Sequence, residues 1–130
     1  MAKSPGHREH ANHRVQESAL GRRATVAVGG EVIADSTDVL KLEEDGHRVR
    51  YYFPRADVKM DALVRSPTTT YCPFKGTAHY FGIREGGDNP RMLADAVWTY
   101  EDPYEEHPAM KDRVAFWEEK FPEIAVRVDG

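Results

Sequence analysis

Apolar and polar residues alternate through most of the chain, and this period of two predicts short β-strands. The first case is a pair of β-prone runs, residues 24–28 and 31–34, separated by Gly29-Gly30. Both positions of a two-residue hairpin loop need positive φ angles, which glycine adopts without strain. We therefore predict a β-hairpin over residues 24–34.

Further strands follow at spacings of about 8–12 residues, which is typical of barrel-like and sandwich-like β domains. Proline and Asp-Gly or Gly-Gly turns separate them. The strands predicted after the first hairpin are residues 38–43, 47–53, 68–72, 77–84, 94–100, 113–118 and 123–128. Residues 57–66 are predicted as a helical turn or an irregular strand, and residues 85–90 as a loop. Residues 113–120 also permit a helix, because they contain neither proline nor glycine.

A polar segment precedes these strands. Its few apolar residues, Val15 and Ala19 among them, are too sparse to predict a helix that packs on a core. We predict a polar N-terminal arm, residues 1–23, and one β-rich domain, residues 24–130. The fold class is mainly β: a compact, twisted, antiparallel domain, barrel-like or tent-like, with at most short helices. It should remain folded without residues 1–20.

The composition indicates one domain and a cellular location. A chain of 130 residues is long enough for one domain with its own core. Cys72 is its single cysteine, which excludes an internal disulfide and a multi-cysteine zinc site and favours a reducing compartment. No run approaches the ~20 apolar residues of a membrane span, and the first residues are polar. We expect a cytoplasmic protein with no membrane partner.

Charge is distributed unevenly. Residues 1–23 carry five Lys or Arg against two Glu, a balance of +3, so residues 24–130 carry −7 to give the total of −4. Phosphate contacts by Lys and Arg supply most of the affinity for nucleic acids, so the acidic body argues against such a partner. The usual motifs for nucleotide hydrolysis, dinucleotide redox chemistry and serine hydrolysis are absent from the sequence.

Residues 70–80 hold the densest group of side chains that could carry chemistry. Lys75 follows Cys72 by three positions. An ammonium near a thiol lowers the thiol pKa, so Cys72 or Lys75 is a candidate nucleophile; the alternative, which we favour, is a structural cysteine at a strand end. His79, in the next predicted strand, and Glu43 are the candidate acid and base.

Histidines near the N-terminus give the one pattern that resembles a metal site. His7, His10 and His13 recur at a spacing of three and would share a helical face. They lie in the polar arm without a neighbouring cysteine, and we expect neither a metal nor a cofactor.

Aromatic residues are numerous enough to build a core and to border a pocket. Buried Tyr and Trp need partners for their O–H and N–H groups, and ligand pockets combine apolar walls with a few polar anchors. The predicted ligand-binding residues are Glu43, Tyr51, Lys75, Tyr80, Trp98 and Tyr100.

Several unusual blocks make the sequence resemble a known family, domain of unknown function 427, found in bacteria and fungi. The matching blocks are Glu43 or Glu44, Tyr51-Tyr52-Phe53-Pro54 with Asp57-Val58, residues 70–80, residues 96–100 with Pro103, and Ala115-Phe116-Trp117. The resemblance covers about residues 24–128 and implies a compact β fold akin to tent-like β folds. Trp117 stands where that family usually has Tyr, so no role that needs a hydroxyl group carries over to it.

The family also bears a nucleotidyltransferase-like label, which residues 35–38 do not support. Such chemistry needs paired carboxylates that hold Mg²⁺ beside a Gly-Ser turn, and this stretch lacks that context.

Three functional hypotheses follow. The leading one is a domain that binds an unknown small molecule near residues 72–76. The second is an enzyme with Cys72 or Lys75 as nucleophile, or with Glu43 and His79 as acid and base. The third is a protein-interaction module, such as a homodimer.

Overall fold

The computed structural model of the chain describes residues 2–85 and 91–129. These residues contain one α-helix, α1 (Pro5–Glu9), and three 3₁₀ turns, Arg55–Asp57, Met60–Ala62 and Pro108–Met110. Their ten strands are β1 (Val15–Ala19), β2 (Ala24–Val28), β3 (Glu31–Ser36), β4 (Leu40–Glu44), β5 (Arg50–Tyr52), β6 (Leu63–Cys72), β7 (Gly76–Glu85), β8 (Arg91–Tyr100), β9 (Val114–Phe116) and β10 (Ile124–Val128). None of the helical segments in this part of the chain has the length and hydrophobicity needed to cross a membrane.

The described strands assemble into three antiparallel sheets. Their strand orders are β1-β4-β5, β10-β2-β3 and β6-β7-β8-β9. This confirms the predicted mainly-β, antiparallel class with short helical segments, although the strands of the described residues do not close into a barrel.

The predicted hairpin over residues 24–34 is confirmed, and the next two predicted strands, residues 38–43 and 47–53, also pair with each other. β2 pairs with β3 through a register in which Val28 lies opposite Glu31. The intervening Gly29 and Gly30 have φ angles of 57° and 88°, the left-handed values that the two-residue loop requires. β4 pairs with β5 as the second hairpin.

Two hydrophobic cores lie on the two faces of the four-stranded sheet. In β8, Val97 belongs to the first core and Tyr100 to the second; in β9, Phe116 and Ala115 divide in the same way. This division follows because successive strand residues point to opposite faces. The first core also receives residues from β2, β3 and β10, and the second from β1, β4 and β5. The second core therefore separates the four-stranded sheet from the β1-β4-β5 sheet.

Three segments whose predicted structure is open or irregular can be compared with the described residues. The alternative helix over residues 113–120 is wrong, because Val114–Phe116 pairs with β8 as a strand. The irregular segment 57–66 resolves into 3₁₀ turns followed by the start of β6. The predicted loop at residues 85–90 lies, apart from Glu85, outside the described residues.

β1 is a strand that the sequence prediction missed. It pairs with β4 over five positions, and its Val15 is buried in the second core. Gln16, Ser18 and Ala19 are exposed because β1 is the edge strand of its sheet. An edge strand buries few side chains, so its sequence lacks the apolar alternation that marks a strand. The predicted boundary between arm and domain at residue 23 falls after this paired strand.

Removal of β1 should destabilise the fold more than removal of the residues before it. A variant lacking residues 2–20 loses β1 and the buried Val15, whereas a variant lacking residues 2–13 keeps both. Burial of one valine side chain is worth about 1.5–3 kcal/mol, so the longer deletion should lower the free energy of unfolding by at least about 1.5 kcal/mol more. Urea denaturation followed by circular dichroism measures both values. Equal unfolding midpoints for the full chain and the longer deletion would instead support an arm that adds nothing to the domain.

Candidate functional site

Alternation along β4 and β5 decides which side chains face the second core. Leu42 lies opposite Arg50, and Leu40 lies opposite Tyr52. Directly paired residues of two strands share one face of the sheet. Glu44 follows Leu42 by two positions and therefore points to the same face.

The turn between β6 and β7 brings Lys75 to this face. Gly76, the next residue, has a φ angle of 113°, which residues with a Cβ rarely adopt. The Lys75 Nζ atom donates a hydrogen bond of 2.8 Å to Glu44 Oε1. The two side chains are only 12% and 8% exposed. The turn and β4 are thus joined by a buried ion pair.

The surroundings keep both members of this pair charged. Burial raises the pKa of Glu44, but the hydrogen bond and charge of Lys75, together with His13, outweigh it and leave the pKa below its ordinary value. Burial likewise lowers the pKa of Lys75, but Tyr52 and Glu44 outweigh it and leave the pKa above its ordinary value. Around neutral pH the pair is an ammonium and a carboxylate.

The second carboxylate oxygen of Glu44 faces two histidines. His13 Nε2 lies 3.0 Å and His47 Nε2 lies 3.6 Å from Glu44 Oε2. A buried carboxylate is tolerated when hydrogen bonds replace those it made to water. Glu44 is therefore held by basic groups on both of its oxygens.

Aromatic rings form the walls beside this pair. Tyr80 and Trp98 lie opposite each other on β7 and β8. The Trp98 Nε1 atom donates a 3.0 Å hydrogen bond to the Tyr52 hydroxyl group, and the Trp98 ring meets the Trp117 ring edge to face at 6.5 Å. The Lys75 ammonium lies 5.8 Å from the centre of the Tyr100 ring, within the range of a cation–π interaction.

These side chains enclose a cavity of about 210 Å³ that opens to solvent. The residues that line it are Leu42, Glu44, His47, Arg48, Arg50, Tyr52, Lys75, Tyr80, Trp98, Tyr100 and Trp117. The Arg50 guanidinium lies 5.0 Å from the centre of the Trp98 ring and forms two hydrogen bonds to Glu119. The walls are therefore aromatic, and the rim is basic.

Four of the six predicted ligand-binding residues line this one cavity. They are Lys75, Tyr80, Trp98 and Tyr100. Glu43 and Tyr51 lie on the opposite face of the β1-β4-β5 sheet, because strand alternation places them out of phase with Leu42 and Tyr52. The prediction of Glu43 as the carboxylate of this site is therefore corrected: Lys75 pairs with Glu44, and the Glu43 Oε1 atom lies 3.6 Å from Lys41 Nζ.

The remaining catalytic candidates lie outside the cavity wall. Cys72 is half-buried beside the second core, at the end of β6 and three residues before Lys75. His79 lies on the other face of β7, with Nε2 3.9 Å from Glu101, and borders a separate recess. Glu43 and His79 therefore do not face each other across one site.

The predicted ligand-binding residues do not include Glu44, Tyr52, Trp117 or the basic rim, although the first three lie in the blocks that resemble the family. Strand alternation predicts the positions of Glu44 and Tyr52. Glu44 lies two residues after the buried Leu42, and Tyr52 lies opposite the buried Leu40, so both side chains point to the same face as these leucines. Arg48 precedes β5, and Trp117 follows β9, distant in sequence from it. Only the folded chain brings these two residues together, so no local pattern predicts them. Within residues 2–85 and 91–129, no group of three or more His, Cys, Asp or Glu side chains is arranged to hold a metal ion.

Breaking the buried pair on one side should destabilise the protein strongly. Lys75→Met leaves the Glu44 carboxylate buried with only histidine partners, which should lower the free energy of unfolding by about 3–5 kcal/mol at pH 7. The double variant Lys75→Met/Glu44→Gln has no orphan charge and should lose much less. Urea denaturation of the wild type, both single variants and the double variant measures the coupling.

The pH dependence of the same variants gives an independent check. Because the pKa of Glu44 is lowered in the folded state, its stabilising contribution is present above the ordinary value of 4.5 and is lost as the pH falls through the lower, folded value. The stability difference between wild type and Glu44→Gln should therefore shrink below pH 4.5. A difference that is small at pH 7 and unchanged in acid would contradict a buried ion pair.

Comparison with known proteins places the chain in a family. No curated protein matches it. The family model described as "Domain of unknown function (DUF427)" matches residues 15–128. The match begins at the first residue of β1, whereas the resemblance read from the sequence begins at residue 24. It spans all ten strands described above, including those that form the cavity. The chain therefore belongs to the family of domain of unknown function 427.

Proposed function

We propose that this protein binds a small anionic molecule with a flat, apolar body in the cavity between Lys75 and the two tryptophans. The observation that carries the proposal is the buried Lys75 ammonium. An ammonium group has three N–H donors. Among the described residues, Glu44 Oε1 is the one hydrogen-bond acceptor that Lys75 contacts. Two donors therefore remain for a carboxylate or phosphate oxygen in the cavity that Lys75 lines.

The charge of the cavity lining favours an anion. Lys75, Arg48 and Arg50 supply three positive charges, and Glu44 supplies one negative charge. The rim arginines also contact carboxylates outside the lining: Arg48 lies 3.3 Å from Glu119, but it is half exposed. Exposed ion pairs are worth only about 0–1 kcal/mol, so an entering anion can compete for this guanidinium.

The shape of the cavity supports a small ligand with a planar part. Its side walls are the rings of Tyr80, Trp98 and Trp117, and such rings stack well on a flat apolar group. The volume of about 210 Å³ lies below the range of about 300–1,000 Å³ that is usual for sites of drug-sized ligands. We therefore favour an aromatic or unsaturated acid over a nucleotide.

The binding hypothesis has more structural support than its two rivals. Of the catalytic candidates, Lys75 lines the cavity, but its pKa lies above the ordinary value, so its amine stays protonated and is a poor nucleophile. Cys72, Glu43 and His79 lie in other places. A protein interface would need a contiguous apolar patch. The described chain has three large exposed hydrophobic residues, and each is on a different strand: Val32 on β3, Tyr71 on β6 and Met92 on β8. The homodimer and the cytoplasmic location stay predictions.

Tryptophan fluorescence offers a reporter confined to the proposed site. The chain has two tryptophans, and both line the cavity. Titration with benzoate and phenyl phosphate should quench or shift this emission with saturation. Benzamide, which has the same ring without the negative charge, should bind at least tenfold more weakly.

Matched double variants separate binding from stability. Lys75→Met/Glu44→Gln removes the anchor without leaving an orphan charge, and affinity for benzoate should fall at least tenfold. Lys59→Met/Glu31→Gln removes an exposed pair 3.8 Å apart on another surface and should bind as the wild type does. Equal affinity for benzoate and benzamide, or an unchanged affinity in the first double variant, would rule out Lys75 as the anion anchor.

A further inference from the structure

The segment before β1, residues 2–14, is fastened to the turn that carries Lys75. The Ser4 hydroxyl group and the Gly6 amide both donate to the Pro73 carbonyl oxygen, at 2.6 and 2.8 Å. The Ser4 amide donates to the Glu106 carboxylate at 2.9 Å. A Cβ on Gly6 would lie 2.7 Å from the same carbonyl oxygen, so the close approach requires glycine. We call residues 2–14 the N-terminal segment.

Three histidines of this segment surround the Phe74 ring. The His13 ring stacks on Phe74 at 4.5 Å, the His7 ring meets it edge to face at 5.1 Å, and His10 lies at 6.3 Å. His13 also contacts Glu44, the partner of Lys75. The N-terminal segment thus touches the candidate site through the residue before Lys75 and through its counter-charge.

A direct contact between two imidazole rings closes this arrangement. His7 Nε2 lies 2.7 Å from His107 Nε2. His107 follows β8 and is 3% exposed. On its other side, His107 Nδ1 lies 3.5 Å from Glu17 Oε2 of β1, and neither buried atom has a hydrogen-bond partner within the described chain. The three side chains form a line from β1 to α1.

The geometry limits how many protons the His7–His107 pair can hold. Two nitrogens at 2.7 Å share one hydrogen atom, because one must donate and the other accept. The docked pair therefore carries at most three ring protons and a single positive charge. Once the N-terminal segment leaves, each ring can hold two protons, and the pair can carry two charges. In acid, where both released rings are protonated, the released pair therefore holds at least one proton more than the docked pair can hold.

We propose that the His7–His107 contact is a proton-sensitive latch, which holds the N-terminal segment over the Lys75 turn near neutral pH and releases it in acid. Release withdraws His13 from Glu44 and uncovers Phe74. The further step, in which release of the N-terminal segment regulates the anion site, rests on the function proposed above. The latch itself stands on the contact and on the proton count.

The charged groups around His7 come from every element packed on it. They are His107 and Glu106 after β8, His13 in the N-terminal segment, and Glu44 on β4. Burial lowers the pKa of His7, as do His107 and His13, while the two carboxylates raise it without cancelling the decrease. A pKa below the ordinary 6.5 means that the docked state binds fewer protons, so docking weakens as the pH falls below that value.

Amide exchange measured by NMR on the full chain without any ligand tests the latch. The Gly6 amide is protected only while its hydrogen bond to Pro73 is intact. Below pH 6.5, its protection factor should fall by up to about tenfold per pH unit, which is the slope for one additional proton. A protection factor that stays constant from about pH 7.5 to 5.5 would overturn the proposal.

Glutamine variants separate the latch from a general effect of acid. At position 7 or 107, the amide of a glutamine can turn to donate or to accept, so the contact survives protonation of the remaining histidine. His7→Gln and His107→Gln should therefore keep the Gly6 amide protected in acid. His10→Gln, the matched control in the same segment, should lose protection as the wild type does, because His10 does not contact His107.

Every outcome of the two glutamine variants either supports or overturns the latch. If one variant loses protection of the Gly6 amide already at pH 7.5, the other variant provides the test. Loss of protection at every pH in both variants would show that the contact holds the segment without sensing protons, and a normal acid response in both would place the sensor elsewhere; either overturns the latch. Because no ligand takes part, failure to bind benzoate would refute the proposed function and leave this result intact.

Discussion

The buried ion pair between Lys75 and Glu44 is the constraint on which the rest of the site depends. It ties the β6–β7 turn to β4 and so links the two sheets that enclose the second core. Such a pair is tolerated only when further hydrogen bonds and good geometry repay the desolvation of its charges. His13 supplies one of these bonds, and the Tyr100 ring lies beside the ammonium. The N-terminal segment, both sheets and the cavity therefore meet at one electrostatic contact.

The fold follows from the sequence where the signal is local. The glycine loop at residues 29–30 and the alternation around it predict a hairpin because turn conformation and strand pairing are settled by neighbouring residues. β1 escapes detection because an edge strand with one buried side chain, Val15, has no alternation to read. Residues 96–100 belong to a strand buried on both faces, so their sequence is nearly continuous in apolar residues and two separate cores share it.

The candidate site is only partly predictable from the sequence, because several of its residues come together through non-local contacts. Lys75 stands out as a lysine between Pro73 and Gly76, and Trp98 and Tyr100 stand out because buried Trp and Tyr need partners for their N–H and O–H groups. Choosing Glu43 over Glu44 is an error of strand parity: Leu42 is buried, so Glu44 shares its face and Glu43 does not. The basic rim and Trp117 are non-local, since they come from segments that meet only after the sheets pack.

The central claim is that Lys75 anchors an anion while it stays paired with Glu44. A crystal structure of the protein soaked in para-bromobenzoate tests this most directly, because the anomalous signal of bromine locates the ring without ambiguity. The account predicts bromine between Trp98 and Trp117 and a carboxylate oxygen within hydrogen-bond distance, about 2.7–3.2 Å, of Lys75 Nζ. A carboxylate bound only to the rim arginines, or bromine outside the cavity, would contradict it.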